Sequence, residues 1–147
     1  MSKDPQQTPP PENAGAVPSK GTVLLLDDDK FLLDMYAMKF VQQSFAVGAF
    51  LSVDEALKAL RDGLVPDVIL FDITMPERDG FSFLQALNEE KLSEHVPKIA
   101  LTNESSDAER AKVMELGTDD YIVKATMIPS EVVNKISDLI GKHRTKS

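Results

Sequence analysis

The stretch Pro66-Asp67-Val68-Ile69-Leu70-Phe71-Asp72-Ile73-Thr74-Met75-Pro76-Glu77-Arg78-Asp79-Gly80 decides the fold. The unbroken apolar run Val68 to Phe71 predicts a strand buried on both faces, the habit of parallel sheets. It ends abruptly on Asp72, and Pro76 and Gly80 shape the chain that follows. A carboxylate just past such a strand lies at its C-terminal mouth, where open α/β sheets place their ligands. Asp72 is therefore the first candidate for the chemistry.

Working outward, the same rhythm recurs on both sides. Val23 to Leu26 is a second apolar strand, and it ends on Asp27, Asp28 and Asp29. A helix is expected from Lys30 to Gln43, with Phe31, Met35, Met38 and Val41 at helical spacing and acids at its N-terminal side, which suits its dipole. Phe45 to Phe50 reads as a short strand. Ser52, with Glu55 three residues on, reads as a capping box for a helix to Asp62, closed by Gly63. After Asp79 and Gly80, which form a turn, a helix to Glu90 carries Phe81, Leu84 and Leu87. Lys98 to Leu101 is a strand ending on Thr102. Ser106 can cap a helix to Leu116 that Gly117 stops. Tyr121 to Val123 is a strand ending on Lys124, and Ser130 opens a last helix through Ile140, with Gly141 past its end. Met35, Met38 and Met114 read as core. Five strands alternating with five helices imply an α/β domain: a parallel sheet with right-handed crossovers and helices on both faces. The expected organisation is a proline-rich disordered tail over 1–20, one domain over 21–141 and a frayed basic tail over 142–147.

Composition sets limits. The 147 residues are enough for one domain with a substantial core. The net charge of −8 argues against a broad nucleic-acid surface and fits the binding of a cation. The absence of cysteine excludes disulfides and thiolate metal sites. No stretch approaches the roughly 20 apolar residues of a membrane span, and no secretory signal is visible. A cytoplasmic location without membrane contact is expected.

Four strands end on polar groups: Asp27 and Asp28, Asp72, Thr102 and Lys124. In a parallel sheet these ends point the same way. Three carboxylates drawn together repel one another unless a cation joins them. All-oxygen ligands suit Mg²⁺, which takes a few carboxylates and keeps its waters. Lys124 supplies a second positive charge and Thr102 a hydroxyl donor. Together they make a site for a group with several anionic oxygens, and a phosphoryl group fits. Its transfer depends on positioning and charge neutralisation, and a carboxylate can accept it as an acyl phosphate.

With these motifs in place, the chain resembles the response-regulator receiver domains of two-component phosphorelay signalling, over about Thr22 to Gly141. The matching segments are Leu24-Leu25-Leu26-Asp27-Asp28, Pro66 to Gly80, Ile99-Ala100-Leu101-Thr102 and Leu116-Gly117-Thr118-Asp119-Asp120-Tyr121-Ile122-Val123-Lys124. The resemblance implies a flavodoxin-like (βα)5 fold of strand order 2-1-3-4-5. It implies that Asp72 accepts a phosphoryl group from a histidine kinase or histidine phosphotransfer protein. Asp28, Asp72 and the carbonyl of Thr74 would bind Mg²⁺, with Asp27 acting through water. Lys124 would bind a phosphoryl oxygen. Thr102 would swing toward the phosphoryl group and Tyr121 would rotate inward with it, changing a surface that a downstream protein target reads. Homodimerisation through the last strands and helix stays open.

The chain departs from the family pattern at two positions. Ala125 stands where a proline, often in a cis bond, usually follows the lysine; a cis bond before alanine costs roughly 3–4 kcal/mol, so a trans Lys124-Ala125 peptide is expected. Asn103 replaces a small residue after Thr102 and can narrow access to Asp72. Thr74 and Glu104 occupy positions that tune autodephosphorylation in the family. His95 and His143 are isolated and receive no metal or catalytic role. Only six residues follow Gly141, so a stand-alone receiver is expected, not an enzyme beyond self-phosphorylation and self-dephosphorylation. Two alternatives compete. One is a phosphorylation-independent pseudo-receiver scaffold. The other is a haloacid-dehalogenase-like phosphatase using Asp27-Asp28-Asp29, although Phe31 stands where that family has Thr or Val.

Overall fold

The computed structural model describes residues 20–103 and 106–146. The expected N-terminal tail, and Glu104, lie outside the described residues. Five parallel strands, β1 (Gly21–Leu26), β2 (Phe45–Phe50), β3 (Val68–Asp72), β4 (Lys98–Thr102) and β5 (Asp120–Val123), form one sheet in the order β2-β1-β3-β4-β5. They alternate with α1 (Lys30–Gln42), α2 (Val53–Arg61), α3 (Gly80–Glu90), α4 (Asp107–Glu115) and α5 (Pro129–Lys146), and a short 3-10 turn, Lys124–Thr126, follows β5.

The apolar runs are continuous because the sheet is covered on both faces. Successive side chains of a strand point to opposite sides, so Leu24, Leu26, Ile69 and Phe71 join one core with α2 and α3, where Phe71 meets Phe83 at 5.8 Å between ring centroids. Val23, Leu25, Val68 and Leu70 join a second core beneath α1 and α5. Burying each such side chain contributes about 1.5–3 kcal/mol. Helix starts are capped locally: Asp29 accepts from Leu32 N–H, Ser52 from Glu55, Asp79 from Ser82 and Ser106 from Glu109, at 3.0–3.2 Å. Each cap stabilises its helix by about 1 kcal/mol. Gly63 and Gly117 end α2 and α4 at φ +115° and +107°, the left-handed region that glycine enters without strain.

Three expectations are corrected. In α1 the buried stripe is Leu33, Tyr36 and Phe40, whereas Phe31, Met38 and Val41 are exposed. Both stripes have helical spacing; packing against the strand side chains of the second core decides which one faces the sheet. Met114 is likewise exposed, since α4 buries only Val113. Finally, α5 does not stop at Gly141 but runs to Lys146. Glycine within a helix costs about 1 kcal/mol relative to alanine without ending it, and no proline follows.

Gly80 has a packing reason. A Cβ there would lie 2.8 Å from both the Asp72 carbonyl oxygen and the Ile73 Cα, and the Gly80 N–H donates to the Ile73 carbonyl at 2.8 Å. Gly80→Ala is expected to destabilise the domain by about 1–3 kcal/mol, the range for overpacking. The check is a lower urea midpoint with an unchanged m-value.

Candidate functional site

Strand order places the site. The chain leaves β1 toward α1 on one face and β3 toward α3 on the other, so a crevice opens between their C-terminal ends. Asp27 closes β1, its N–H donating to the Phe50 carbonyl at 3.2 Å, and is 1% exposed. Asp72 closes β3 and is 2% exposed. Asp28, next to Asp27, is exposed. A carboxylate oxygen from each of Asp27, Asp28 and Asp72 lies within 4.8 Å of the others. The three line a cavity of about 370 Å³ together with Thr74, Asn103 and Lys124.

Lys124 ties the cluster together from the far side of the sheet. Its Nζ donates to Asp27 Oδ2 at 2.9 Å and lies 3.4 Å from Asp72 Oδ2. Burial works against its charge, but the hydrogen bond to Asp27 and the charges of Asp72 and Asp27 outweigh it and hold its pKa above the ordinary value. Asp27 Oδ1 accepts the Asp29 N–H at 2.9 Å, so both Asp27 oxygens are engaged. Asp72 differs: Oδ1 is buried and has no hydrogen-bond partner. Its carboxyl is pushed up to about 7 by burial and by the negative charge of Asp27, which Lys124 only partly offsets. An orphaned buried carboxylate oxygen beside an exposed aspartate is a donor set that fits a hard divalent cation. With Asp27 committed to protein donors, Asp28 and Asp72 are the carboxylates open to direct ligation.

The remaining residues separate into two places. Thr74 and Asn103 are both exposed and line the cavity. Thr102 and Tyr121 are gathered elsewhere. The Thr102 hydroxyl donates to Glu109 Oε1 at 2.8 Å, and the Tyr121 hydroxyl donates to the same oxygen at 2.9 Å. Tyr121 is already tucked in at 8% exposed. Glu109 escaped the sequence reading, because three residues after Ser106 it looks like an ordinary helix-cap partner. The Lys124-Ala125 peptide is trans, as expected. Asp29, the last acid of the Asp27-Asp28-Asp29 run on which the phosphatase alternative rests, caps α1.

A doubly wound sheet of order 2-1-3-4-5 with acids at the β1–β3 crevice and a lysine after β5 defines a class of signalling receiver. The chain belongs to the response regulator receiver domain family, whose profile matches residues 23–137, and so is a receiver domain of two-component signalling. It is 30% identical over 120 residues to the response regulator SaeR of Staphylococcus aureus, covering 82% of this chain and 50% of that protein. The chain thus spans about half the length of the curated relatives it matches. A CheY-like receiver domain protein from Methanospirillum hungatei superposes with TM-score 0.78 at 22% identity, covering 88% of this chain and 100% of that one. The receiver domain of Francisella response regulator 1452 gives 0.73 at 26%, covering 86% and 99%. Membership of the receiver family sets the phosphatase alternative aside. Among the described residues no helix is long and apolar enough to cross a membrane.

Proposed function

We propose that Asp72 is the phosphoryl acceptor of this receiver, taking the group from a phosphohistidine of a histidine kinase or histidine phosphotransfer protein. The observation that carries this is the buried Asp72 Oδ1 with no hydrogen-bond partner, in a carboxylate whose other oxygen faces Lys124. An Asp72 oxygen attacks phosphorus, the N–P bond breaks as the O–P bond of an acyl phosphate forms, and the freed imidazole of the donor takes up a proton. Asp28, Asp72 and the Thr74 carbonyl would hold Mg²⁺, with Asp27 reaching it through water. The ion supplies charge neutralisation for the incoming oxygens. Lys124 receives a phosphoryl oxygen with its ammonium group. Thr102 donates its hydroxyl to a second oxygen, and the surface around α4, β5 and α5 presents the result to a downstream protein target.

The test is intact-mass measurement after incubation with a small acyl phosphate and Mg²⁺. A gain of one phosphoryl group, absent when Mg²⁺ is chelated, is expected. No gain with the acyl phosphate or with a phosphorylated histidine donor would instead support the scaffold alternative, toward which Asn103 at the cavity rim leans.

A further inference from the structure

The sequence pattern Ser-x-x-Glu occurs at the start of both α2 and α4, and the structure uses its glutamate differently in the two. In α2 Glu55 closes the cap locally: Ser52 accepts from the Glu55 N–H, and the Glu55 carboxylate accepts from the Leu51 N–H at 3.2 Å. In α4 Ser106 accepts from the Glu109 N–H at 3.2 Å, but Glu109 Oε1 lies on the side chains of Thr102 and Tyr121. One carboxylate oxygen therefore links the end of β4 and the first half of β5 to the first turn of α4.

We propose that Glu109 is a positioning residue of the switch: by accepting the Thr102 hydroxyl proton it withholds that proton from the acceptor site and ties it to α4. The inference rests on the phosphoryl-acceptor reading for what Thr102 is withheld from, though not for the contacts themselves.

A threonine hydroxyl has one proton to donate. While it is directed at Glu109 it is not directed at a phosphoryl oxygen on Asp72. Arrival of the phosphoryl group is therefore a competition between two anionic acceptors for one donor. The hydroxyl keeps its proton throughout and only its acceptor changes. When Thr102 turns, Glu109 loses one of its two hydroxyl donors and keeps Tyr121, so the ring stays in while the tie from β4 to α4 is released.

The helix at the other end of this tie is lightly anchored. Of α4 only Val113 is buried. It is also held by Lys112 over the Phe81 ring at 4.2 Å, by Arg110 over the Tyr121 ring at 5.5 Å and by Asn88, which donates to the carbonyl of its C-cap Leu116 at 3.0 Å. An element with so small an apolar footing opens at low cost, so a polar tie weighs heavily in its position. Glu109 and Arg110 together grip Tyr121 by its hydroxyl and its face, which makes α4 the element that senses Thr102.

The experiment uses the full chain with Glu109→Gln and Glu109→Ala, each alone and with Thr102→Ala. The first readout is the rate of phosphoryl gain from an acyl phosphate with Mg²⁺. Glu109→Ala is expected to raise it about tenfold, the worth of one hydrogen bond to a charged acceptor. Glu109→Gln, which keeps a neutral acceptor, raises it less. In the Thr102→Ala background the Glu109 substitution should change nothing, because the competed donor is gone. Equal acceleration with and without Thr102, or none in a wild-type protein that is readily phosphorylated, overturns the proposal. The second readout needs no phosphorylation. The chain has two tyrosines, so Tyr36→Phe leaves Tyr121 alone, and its fluorotyrosine resonance should shift in Glu109→Gln. If the wild type takes no phosphoryl group, the acceptor reading fails separately; an unmoved Tyr121 resonance then removes the Glu109 tie as well, and a shifted one retains it. Glu109→Gln, nearly the same shape as the wild type, decides the case if Glu109→Ala fails to fold.

Discussion

Asp72→Asn is expected to gain no phosphoryl group from any donor and yet to be more stable than the wild type in metal-free buffer near pH 8. The first half follows from removing the acceptor oxygen. The second follows from the electrostatics of the cluster when no metal is supplied. Folding raises the Asp72 carboxyl from 3.8 to about 7, chiefly through burial and the neighbouring Asp27 charge. A folded state that binds the proton more tightly than the unfolded chain is favoured at low pH. The contribution of Asp72 is thus fully present below about pH 4, is lost as pH rises toward 7, and stays lost above it. The loss is about 2 kcal/mol once the shift is discounted for solvent at the mouth of the cavity. An asparagine carries no such penalty, and its amide can donate toward Asp27. Urea unfolding from pH 4 to 8 in chelator should show wild-type stability falling relative to Asp72→Asn as pH rises. Parallel curves would mean that Asp72 titrates as an ordinary surface acid. Saturating Mg²⁺ should stabilise the wild type more than the variant, because the variant lacks a ligand oxygen.

The same electrostatics show which parts of the site were legible in the sequence. Asp27, Asp72 and Lys124 could be found because each directly follows an apolar strand, and in a parallel sheet that local fact fixes a position in space. The strand runs were legible because burial on both faces removes polar alternation. The face of α1 was not, since Phe31-Met35-Met38 and Leu33-Tyr36-Phe40 are both apolar stripes at helical spacing. Only packing against β1 and β2 chooses between them. Gly141 misled for a related reason: glycine weakens a helix without dictating an end. Glu109 was the least visible. Local chemistry explains a glutamate three residues after a capping serine completely, as Glu55 shows, so nothing in the pattern reveals that Glu109 reaches Thr102 and Tyr121. Residues whose place is set by strand ends were readable; residues whose partners depend on which neighbour a flexible side chain selects were not.

Lys124→Ala should strongly destabilise the metal-free protein, by about 3–5 kcal/mol at pH 8. The side chains of Asp27 and Asp72 are 2% and 3% exposed, and Lys124 is the cation between them. Removing one partner of a buried pair leaves the other charges without compensation, which costs far more than the intact pair contributes. Two dependences separate this cause from a simple loss of packing. First, Lys124 holds the Asp72 carboxyl down against burial and the Asp27 charge, so its loss raises that carboxyl further. The variant therefore binds more protons than the wild type when folded, and the stability gap between them widens with rising pH and narrows toward pH 5. Second, a divalent cation between the carboxylates does part of the work of the ammonium group, so Mg²⁺ should rescue the variant by more than it stabilises the wild type. Lys124→Met, which restores most of the apolar stem, should show both dependences almost undiminished. A loss below about 1 kcal/mol, unchanged by pH and Mg²⁺, would place Lys124 with solvated surface pairs. It would also remove the electrostatic argument for a phosphoryl-binding role, because an ammonium that does not compensate two buried carboxylates has no reason to hold an incoming anion there.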